Sequence, residues 1–150
     1  MKEEIVTHYV KKWLQEHKQP ILYENQKLGI DFLIGNFLLV THWAIYFCQI
    51  ECKGTKSDID RAVGQCLRYY HIYDSIPTYL AIPKDYKQLR DLQEVVEFFE
   101  LPIGILLVDN EGKVTLKRKA KGKRRIYKFY QNEIGHLVNR VIHPKLHFKT

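Results

Sequence analysis

The chain of 150 residues contains only three cysteines and no long hydrophobic run. An odd and low cysteine count is not typical of a disulfide-stabilised secreted domain, so it favours the reducing cytosol. The apolar stretches fall far short of the roughly 20 residues that a membrane-spanning helix needs. The amino-terminal MKEEIV is charged from its second residue and has no apolar signal core, so we expect no targeting segment. We therefore predict a cytoplasmic protein that does not associate with membranes.

Several motifs of common enzymes are also missing. The sequence has no glycine-rich phosphate loop and no G-x-S-x-G element, and we expect no organic cofactor. Cys48, Cys52 and Cys66 lack C-x-x-C spacing and fall on faces predicted to be core, which favours buried thiols over a zinc site. The composition, with 13% aromatic residues, suits a folded domain rather than a disordered chain.

Charge is unevenly distributed along the chain. Residues 1–112 hold 12 basic and 16 acidic side chains, a net −4, whereas residues 113–150 hold 12 basic and one acidic, a net +11. The basic residues concentrate in a run at 117–125, which predicts a loop that contacts the phosphates of a nucleic acid. A solubilising basic loop is the alternative. The candidate nucleic-acid contacts in this run are Lys117, Arg118, Lys119, Lys121, Lys123, Arg124 and Arg125.

Hydrophobic periodicity predicts one α/β domain over residues 1–150, with its core at about 3–116 and a mixed central β-sheet flanked by helices. The predicted helices are 3–17, 57–73, 85–99 and 129–142, and the second opens on a capping box from Ser57 to Asp60. The predicted strands are 21–24, 28–34, 43–53, 78–82, 103–108 and an edge strand at 113–116. Turns are expected near Asn36 and 41–43, and Phe99 is expected on the buried face of the third helix.

The chemistry is concentrated at the end of the strongest strand. Because alternate residues of a strand face opposite sides, Glu51 and Lys53 share one face of a strand otherwise built for burial. Asp31 lies in a similar apolar context on a neighbouring strand. Two carboxylates can hold a hard cation, and the Lys53 ammonium can assist the attacking water and offset charge that grows on the phosphate. A simple ion pair at a sheet edge is the alternative for Glu51 and Lys53.

The helix that follows places a polar face towards this cluster. At 100° per residue, Arg61, Gln65, Arg68 and Tyr69 fall on the face opposite the apolar residues. We expect Arg61 and Arg68 to contact phosphate and Tyr69 to offer a hydroxyl or a stacking surface. An ordinary solvated helix face is the alternative for Gln65 and Tyr69.

The ordered set Asp31, then Glu51-Cys-Lys53, then Gln65-x-x-x-Tyr69 resembles the PD-(D/E)XK nuclease superfamily, in particular its small stand-alone and RecB-like members. The resemblance covers about residues 3–83, with Ile30 where some members have proline. It implies a restriction-endonuclease-like core and a Mg²⁺ or Mn²⁺ cofactor. It also implies that Asp31, Glu51 and the Cys52 main-chain carbonyl bind the metal, that Lys53 is the catalytic lysine and that Gln65 orients the site.

Many members of that superfamily carry a further glutamate in the first helix. Glu16 borders the predicted apolar face of the first helix, and Glu24 on the next strand is its rival. The basic, glycine-containing start that is usual in Holliday-junction resolvases is missing here, since the chain begins MKEEI.

These observations predict a metal-dependent hydrolase of DNA phosphodiester bonds. The alternatives are a structure-specific endonuclease like a Holliday-junction resolvase and a catalytically silent nucleic-acid-binding module of the same fold. The residues do not distinguish DNA from RNA, or endonuclease from exonuclease action. A homodimer would suit the cutting of a duplex, although no residue pattern indicates one.

Overall fold

The computed structural model describes residues 1–19, 21–24, 30–39, 43–72, 75–122 and 126–129. Three helices lie within these ranges: α1 (Glu3–Glu16), α2 (Ile59–Ile72) and α3 (Leu89–Phe98). The strands are β1 (Ile21–Glu24), β2 (Phe32–Leu39), β3 (Trp43–Cys52), β4 (Thr78–Pro83), β5 (Ile103–Val108), β6 (Val114–Arg118) and β7 (Ile126–Phe129). The α/β class and the mixed sheet flanked by helices are therefore confirmed.

The described strands form one open sheet in the order β1-β2-β3-β4-β5-β6. The central strands β3, β4 and β5 run parallel, while β2 and β6 are antiparallel to their neighbours. Strand β3 is long enough to pair with β4 near its carboxyl end and with β7 near its start. The carboxyl ends of β3, β4 and β5 thus share one edge of the sheet, which is where parallel α/β sheets usually bind ligands.

Helices cover both faces of the sheet. Helix α1 buries Val6, Val10 and Leu14 against one face, where Ile50 and Cys52 of β3 also lie. Helices α2 and α3 cover the opposite face together, through a second cluster of buried apolar side chains. Because the sheet is buried on both sides, its central strands are continuously apolar, as in β5, where all six residues are buried.

Strand β2 differs from the prediction at both of its ends. It begins at Phe32 rather than at 28, and it continues through Gly35 and Asn36, where a turn was expected, to Leu39. Eight consecutive residue pairs join β2 to β3, from Phe32 opposite Ile50 to Leu39 opposite Trp43. Pairing with the next strand in the sequence overrides the local turn preference of Gly35 and Asn36.

Two predicted helices begin later than expected. Asp58, rather than Ser57, caps α2, because its Oδ1 accepts a hydrogen bond from the main-chain N–H of Asp60 at 3.0 Å. Helix α3 begins at Leu89 instead of 85, since tight turns hold the preceding residues, with the Tyr86 N–H donating to the Pro83 carbonyl. The expectation that Phe99 is buried is wrong, because Phe99 follows the helix and is 64% exposed.

The carboxyl-terminal third also departs from the prediction. Lys117 and Arg118 belong to β6 rather than to a basic loop. Phe129, predicted to begin the last helix, instead pairs with Trp43 in β7. The remainder of that predicted helix, at 130–142, and the basic residues 123–125 lie outside the described residues.

Within the described ranges, no helix is both long and apolar enough to cross a bilayer.

Candidate functional site

The two faces of β3 near its carboxyl end carry opposite chemistry. Ile50 and Cys52 point into the apolar core beneath α1. The alternating residues Gln49, Glu51 and Lys53 therefore face the side covered by α2. Gln49 and Glu51 are fully buried, and Lys53 follows the strand at the edge of the sheet, where its N–H donates to the Ala81 carbonyl at 2.9 Å.

Asp31 is held beside this end of β3 by two main-chain contacts. Its own N–H donates to the Ile50 carbonyl at 3.2 Å. Its Oδ2 accepts a hydrogen bond from the N–H of Cys52 at 2.6 Å. The carboxylate is 4% exposed and lies against the residue that separates Glu51 from Lys53. Sequence-distant segments thus bring Asp31, Glu51 and Lys53 together.

Glu51 and Lys53 form a close ion pair. The Lys53 Nζ lies 2.7 Å from the Glu51 Oε1, and the side chains are 13% and 4% exposed respectively. The other carboxylate oxygen, Glu51 Oε2, is buried and has no hydrogen-bond partner among the described residues. A buried carboxylate oxygen without a donor costs free energy. It is therefore an available ligand for a cation.

The electrostatics of the pair of acids also favour a cation. Burial raises the pKa of Asp31 to about 6, although the hydrogen bond from Cys52 opposes the shift. Burial and the charge of Asp31 raise the pKa of Glu51 to about 7, although Lys53 opposes the shift. One ammonium thus leaves the two carboxylates undercompensated. A divalent cation between them would relieve this cost.

The available donors suit a hard cation. Mg²⁺ is commonly held by one or two carboxylates and completes its coordination with water and phosphate oxygens. The side-chain oxygens of Asp31 and Glu51 provide such a pair, and the Cys52 carbonyl belongs to the residue that hydrogen-bonds Asp31. No group of three or more His, Cys, Asp or Glu side chains able to hold a metal occurs in the described part of the chain.

Glu3 is an acid of this cluster that the sequence prediction missed. Its Oε2 lies 3.9 Å from the Lys53 Nζ, and its charge contributes to raising the pKa values of Asp31 and Glu51. The sequence contains a signal, because Glu3 extends the buried stripe of α1 formed by Val6 and Val10 at helical spacing. Ile5, on another side of the same turn, is 43% exposed.

The two predicted additional acids, Glu16 and Glu24, each pair with a lysine of α1. Glu16 ends α1, and thirteen residues at 1.5 Å each separate it by about 20 Å from Glu3. Its carboxylate lies near Lys12. Glu24 lies at the end of β1 and pairs with Lys11 at 3.0 Å.

A glycine fixes the amino end of α1 against the loop after β3. A Cβ atom added to Gly54 would lie 2.7 Å from the Glu3 nitrogen and 2.9 Å from the Met1 carbonyl oxygen. Only a residue without a side chain allows this approach. The N–H of Thr55 also donates to the Met1 carbonyl at 2.9 Å. These contacts position Glu3 beside Lys53.

A groove opens where these two segments meet. It has a volume of about 760 Å³ and is lined by residues 1–5 and 54–57. Lys2 and Lys56 are exposed there, and Glu3 connects the groove to Lys53. The groove therefore borders the cluster through Glu3.

Helix α2 lies beside the cluster. Burial raises the pKa of the Cys66 thiol on this helix. The charges of Glu51 and Asp31 also raise that pKa, whereas the charge of Lys53 lowers it. The neighbouring Gln65 has a buried Oε1 without a partner among the described residues. Arg61 and Arg68 are exposed on this helix, while Tyr69 is half-buried. Cys52 and Cys66 are buried free thiols, as predicted, and Cys48 is half-buried.

The described part of the basic run lies elsewhere. Arg118 pairs with Ile105 in β5, and the N–H of Lys121 donates to the Pro102 carbonyl at 2.9 Å. Arg118 is also 3.8 Å from Glu97 of α3. Arg118 lies in the same row of paired residues as Glu51, but three strands across the sheet, a distance of about 14 Å at about 4.8 Å per strand. Lys121 lies further from the cluster, beside the residue that precedes β5.

Comparisons with protein-family models, with curated proteins and with solved structures find no match to this chain. The geometry of the cluster and the chemistry of its side chains therefore carry the functional interpretation.

Proposed function

We propose that this protein is a metal-dependent nuclease of restriction-endonuclease-like fold that hydrolyses DNA phosphodiester bonds. The observation that carries the proposal is the pair of buried carboxylates, Asp31 and Glu51, beside the Lys53 ammonium at the carboxyl end of β3. Asp31 and Glu51 would hold Mg²⁺ or Mn²⁺, with the free Glu51 Oε2 as a ligand. When bound, such an ion supplies Lewis-acid activation of the phosphate and of water.

Lys53 acts as a hydrogen-bond donor and a positive charge rather than as a base. Burial by itself would lower its pKa, but the hydrogen bond and charge of Glu51, with the charges of Glu3 and Asp31, raise the pKa above its ordinary value. The side chain is therefore an ammonium ion at neutral pH. In this role it donates hydrogen bonds to a phosphate oxygen and stabilises the negative charge that develops there.

The substrate would reach the site along the carboxyl edge of the sheet. Lys2 and Lys56 line the groove beside Glu3, and Arg61 and Arg68 are exposed on α2. In this proposal these cations contact the strand being cut. Lys119 and Lys121, at the amino end of β5, would contact phosphates further along the same nucleic acid.

The decisive experiment compares the wild type with Lys53→Ala and with Lys87→Ala, an exposed lysine before α3. Each protein is incubated with supercoiled, linear and single-stranded DNA in Mg²⁺ or Mn²⁺, and a parallel series uses RNA. We expect metal-dependent cleavage of DNA by the wild type and by Lys87→Ala, and its loss in Lys53→Ala. Equal activity of the wild type and Lys53→Ala would overturn the mechanism.

Calorimetric titration with metal and DNA provides the second arm of this experiment. The proposal requires that the wild type bind Mg²⁺ or Mn²⁺. DNA binding without metal binding would instead favour a non-catalytic binding module.

A further inference from the structure

Gln49 is a buried polar residue that none of the roles above explains. It is 0% exposed and lies two residues before Glu51 on the same face of β3. That spacing corresponds to about 7 Å along a strand. A glutamine buried to this extent normally has hydrogen-bond partners for both ends of its amide.

The orientation of the Gln49 amide is fixed by a short chain of hydrogen bonds. The Thr78 hydroxyl donates its single proton to the Ile76 carbonyl at 3.0 Å. It can therefore only accept from Gln49, whose Nε2 donates to it at 2.7 Å. The carbonyl oxygen of the amide consequently takes no part in this chain of hydrogen bonds. Gln49 Oε1 is buried and has no donor among the described residues.

This oxygen belongs to a group of acceptors on one side of the sheet. Glu51 Oε2 and Gln65 Oε1 are also buried without partners among the described residues. Glu51 shares the strand face with Gln49, and Gln65 precedes Cys66, the α2 thiol that is influenced by the charge of Glu51. The three oxygens include no proton donor. A cation or water molecules, including those that hydrate an ion, can satisfy such a set.

On the basis of the proposed cation site, we propose that Gln49 is a positioning residue for the ion that Glu51 would hold. Its Oε1 accepts a hydrogen bond from a water molecule that hydrates the ion. Mg²⁺ retains several waters in protein sites, and the residues that hydrogen-bond around a metal orient its immediate surroundings. Thr78 contributes indirectly, because it keeps the Gln49 carbonyl turned away from itself.

The test is calorimetric titration of Mg²⁺ and Mn²⁺ into the wild type, Gln49→Met and a matched control, Gln93→Met. Methionine preserves the volume of the side chain but removes the amide. Gln93 is a half-buried residue of α3 in a groove with Arg90 and Glu97. We expect Gln49→Met to bind the ion about 10-fold more weakly, the lower end of the loss that follows removal of an outer metal contact. Gln93→Met should bind like the wild type.

Thermal unfolding without metal provides the structural control. Gln49→Met removes an unsatisfied acceptor together with one hydrogen bond, so we expect its melting temperature to stay near that of the wild type. If it does not fold, Thr78→Val serves instead, because the valine releases the amide from its fixed orientation and should weaken metal binding several-fold.

The possible results separate the two proposals. A wild type that binds neither ion would overturn the cation site and the proposed function with it. If the wild type binds Mg²⁺ or Mn²⁺ and the folded Gln49→Met or Thr78→Val variant binds it equally well, only the role of Gln49 is overturned.

Discussion

The two faces of β3 are equally buried but are built from different chemistry. Ile50 is 2% exposed on the face beneath α1, and Glu51 is 3% exposed on the face beneath α2. Burial stabilises Ile50 by removing apolar surface from water, whereas it penalises Glu51 by removing a charge from water. The apolar face therefore contributes to folding. The polar face costs folding free energy, and the proposed cation site would offset that cost.

The strongest test of this difference is Glu51→Gln, which keeps the shape of the side chain but removes its charge. We expect DNA cleavage at saturating Mg²⁺ to fall about 10²–10³-fold, the usual cost of losing one preorganised electrostatic contact. Initial rates on a fluorescent duplex measure the effect. The control is Glu94→Gln, an exposed residue paired with Arg90, which should cleave like the wild type. Full activity of Glu51→Gln would place the chemistry elsewhere.

The opposite effect is expected on the apolar face. Ile50→Ala should lower the free energy of unfolding by about 2–5 kcal/mol, because it leaves a cavity beneath α1. Denaturant titration measures the loss, and Ile5→Ala on the exposed side of α1 should change it by less than about 0.5 kcal/mol. Cleavage per folded molecule should be largely retained. A folded Ile50→Ala protein with much slower DNA cleavage would show that the two faces of β3 do not have separate roles.

The pH dependence of stability gives a third comparison. The pKa of Asp31 is raised to about 6 and that of Glu51 to about 7, so the folded state keeps these protons to higher pH than the unfolded state does. Their contribution to the free energy of unfolding is therefore largest below about pH 4 and is lost as the pH rises towards 7. Stability should fall over that interval when metal is absent.

Asp31→Asn isolates one of these carboxylates. In buffer with EDTA at pH 8, we expect it to be more stable than the wild type by on the order of 3 kcal/mol, since burial raises the pKa by about two units and each unit corresponds to about 1.4 kcal/mol. Below pH 4 the difference should disappear. A variant that is less stable than the wild type at both pH values would show that Asp31 serves the fold.

The smallest effect is expected at Glu3, which is half-exposed and 3.9 Å from Lys53. Glu3→Gln should change the free energy of unfolding by no more than about 1 kcal/mol, as for other solvent-accessible ion pairs. The same energy corresponds to less than a tenfold change in cleavage rate. Glu4→Gln, on the exposed side of the same turn, is the matched control. A loss as large as that of Glu51→Gln would make Glu3 an essential ligand.

Local sequence was sufficient to predict the elements with strong periodicity. The bounds of β5 and β1 match the predicted strands, and the alternation along β3 separates Ile50 from Glu51 as expected. The sequence also predicted that Asp31 lies close to Glu51, because the strands that carry them are neighbours in the sheet. These features depend on residues near one another in the sequence or on adjacent strands.

The features that the sequence did not predict depend on contacts between elements, which override or go beyond the preference of each residue. Pairing with β3 carries β2 through Asn36, which has turn character of its own. Glu3 reaches Lys53 only because the amino end of α1 lies on a loop some fifty residues later in the chain. The separation of Lys121 from the cluster likewise follows from the antiparallel direction of β6. None of these contacts is encoded in a local pattern.

Gly54 has a consequence for how substitutions would be tolerated across the chain. It contributes no functional group, yet a side chain there would displace the backbone that carries Glu3. A complete substitution map should therefore show intolerance at Gly54 as well as at Glu51, for a steric rather than an electrostatic reason. Evolutionary change in this neighbourhood would then require paired substitutions, with the start of α1 and the loop after β3 varying together.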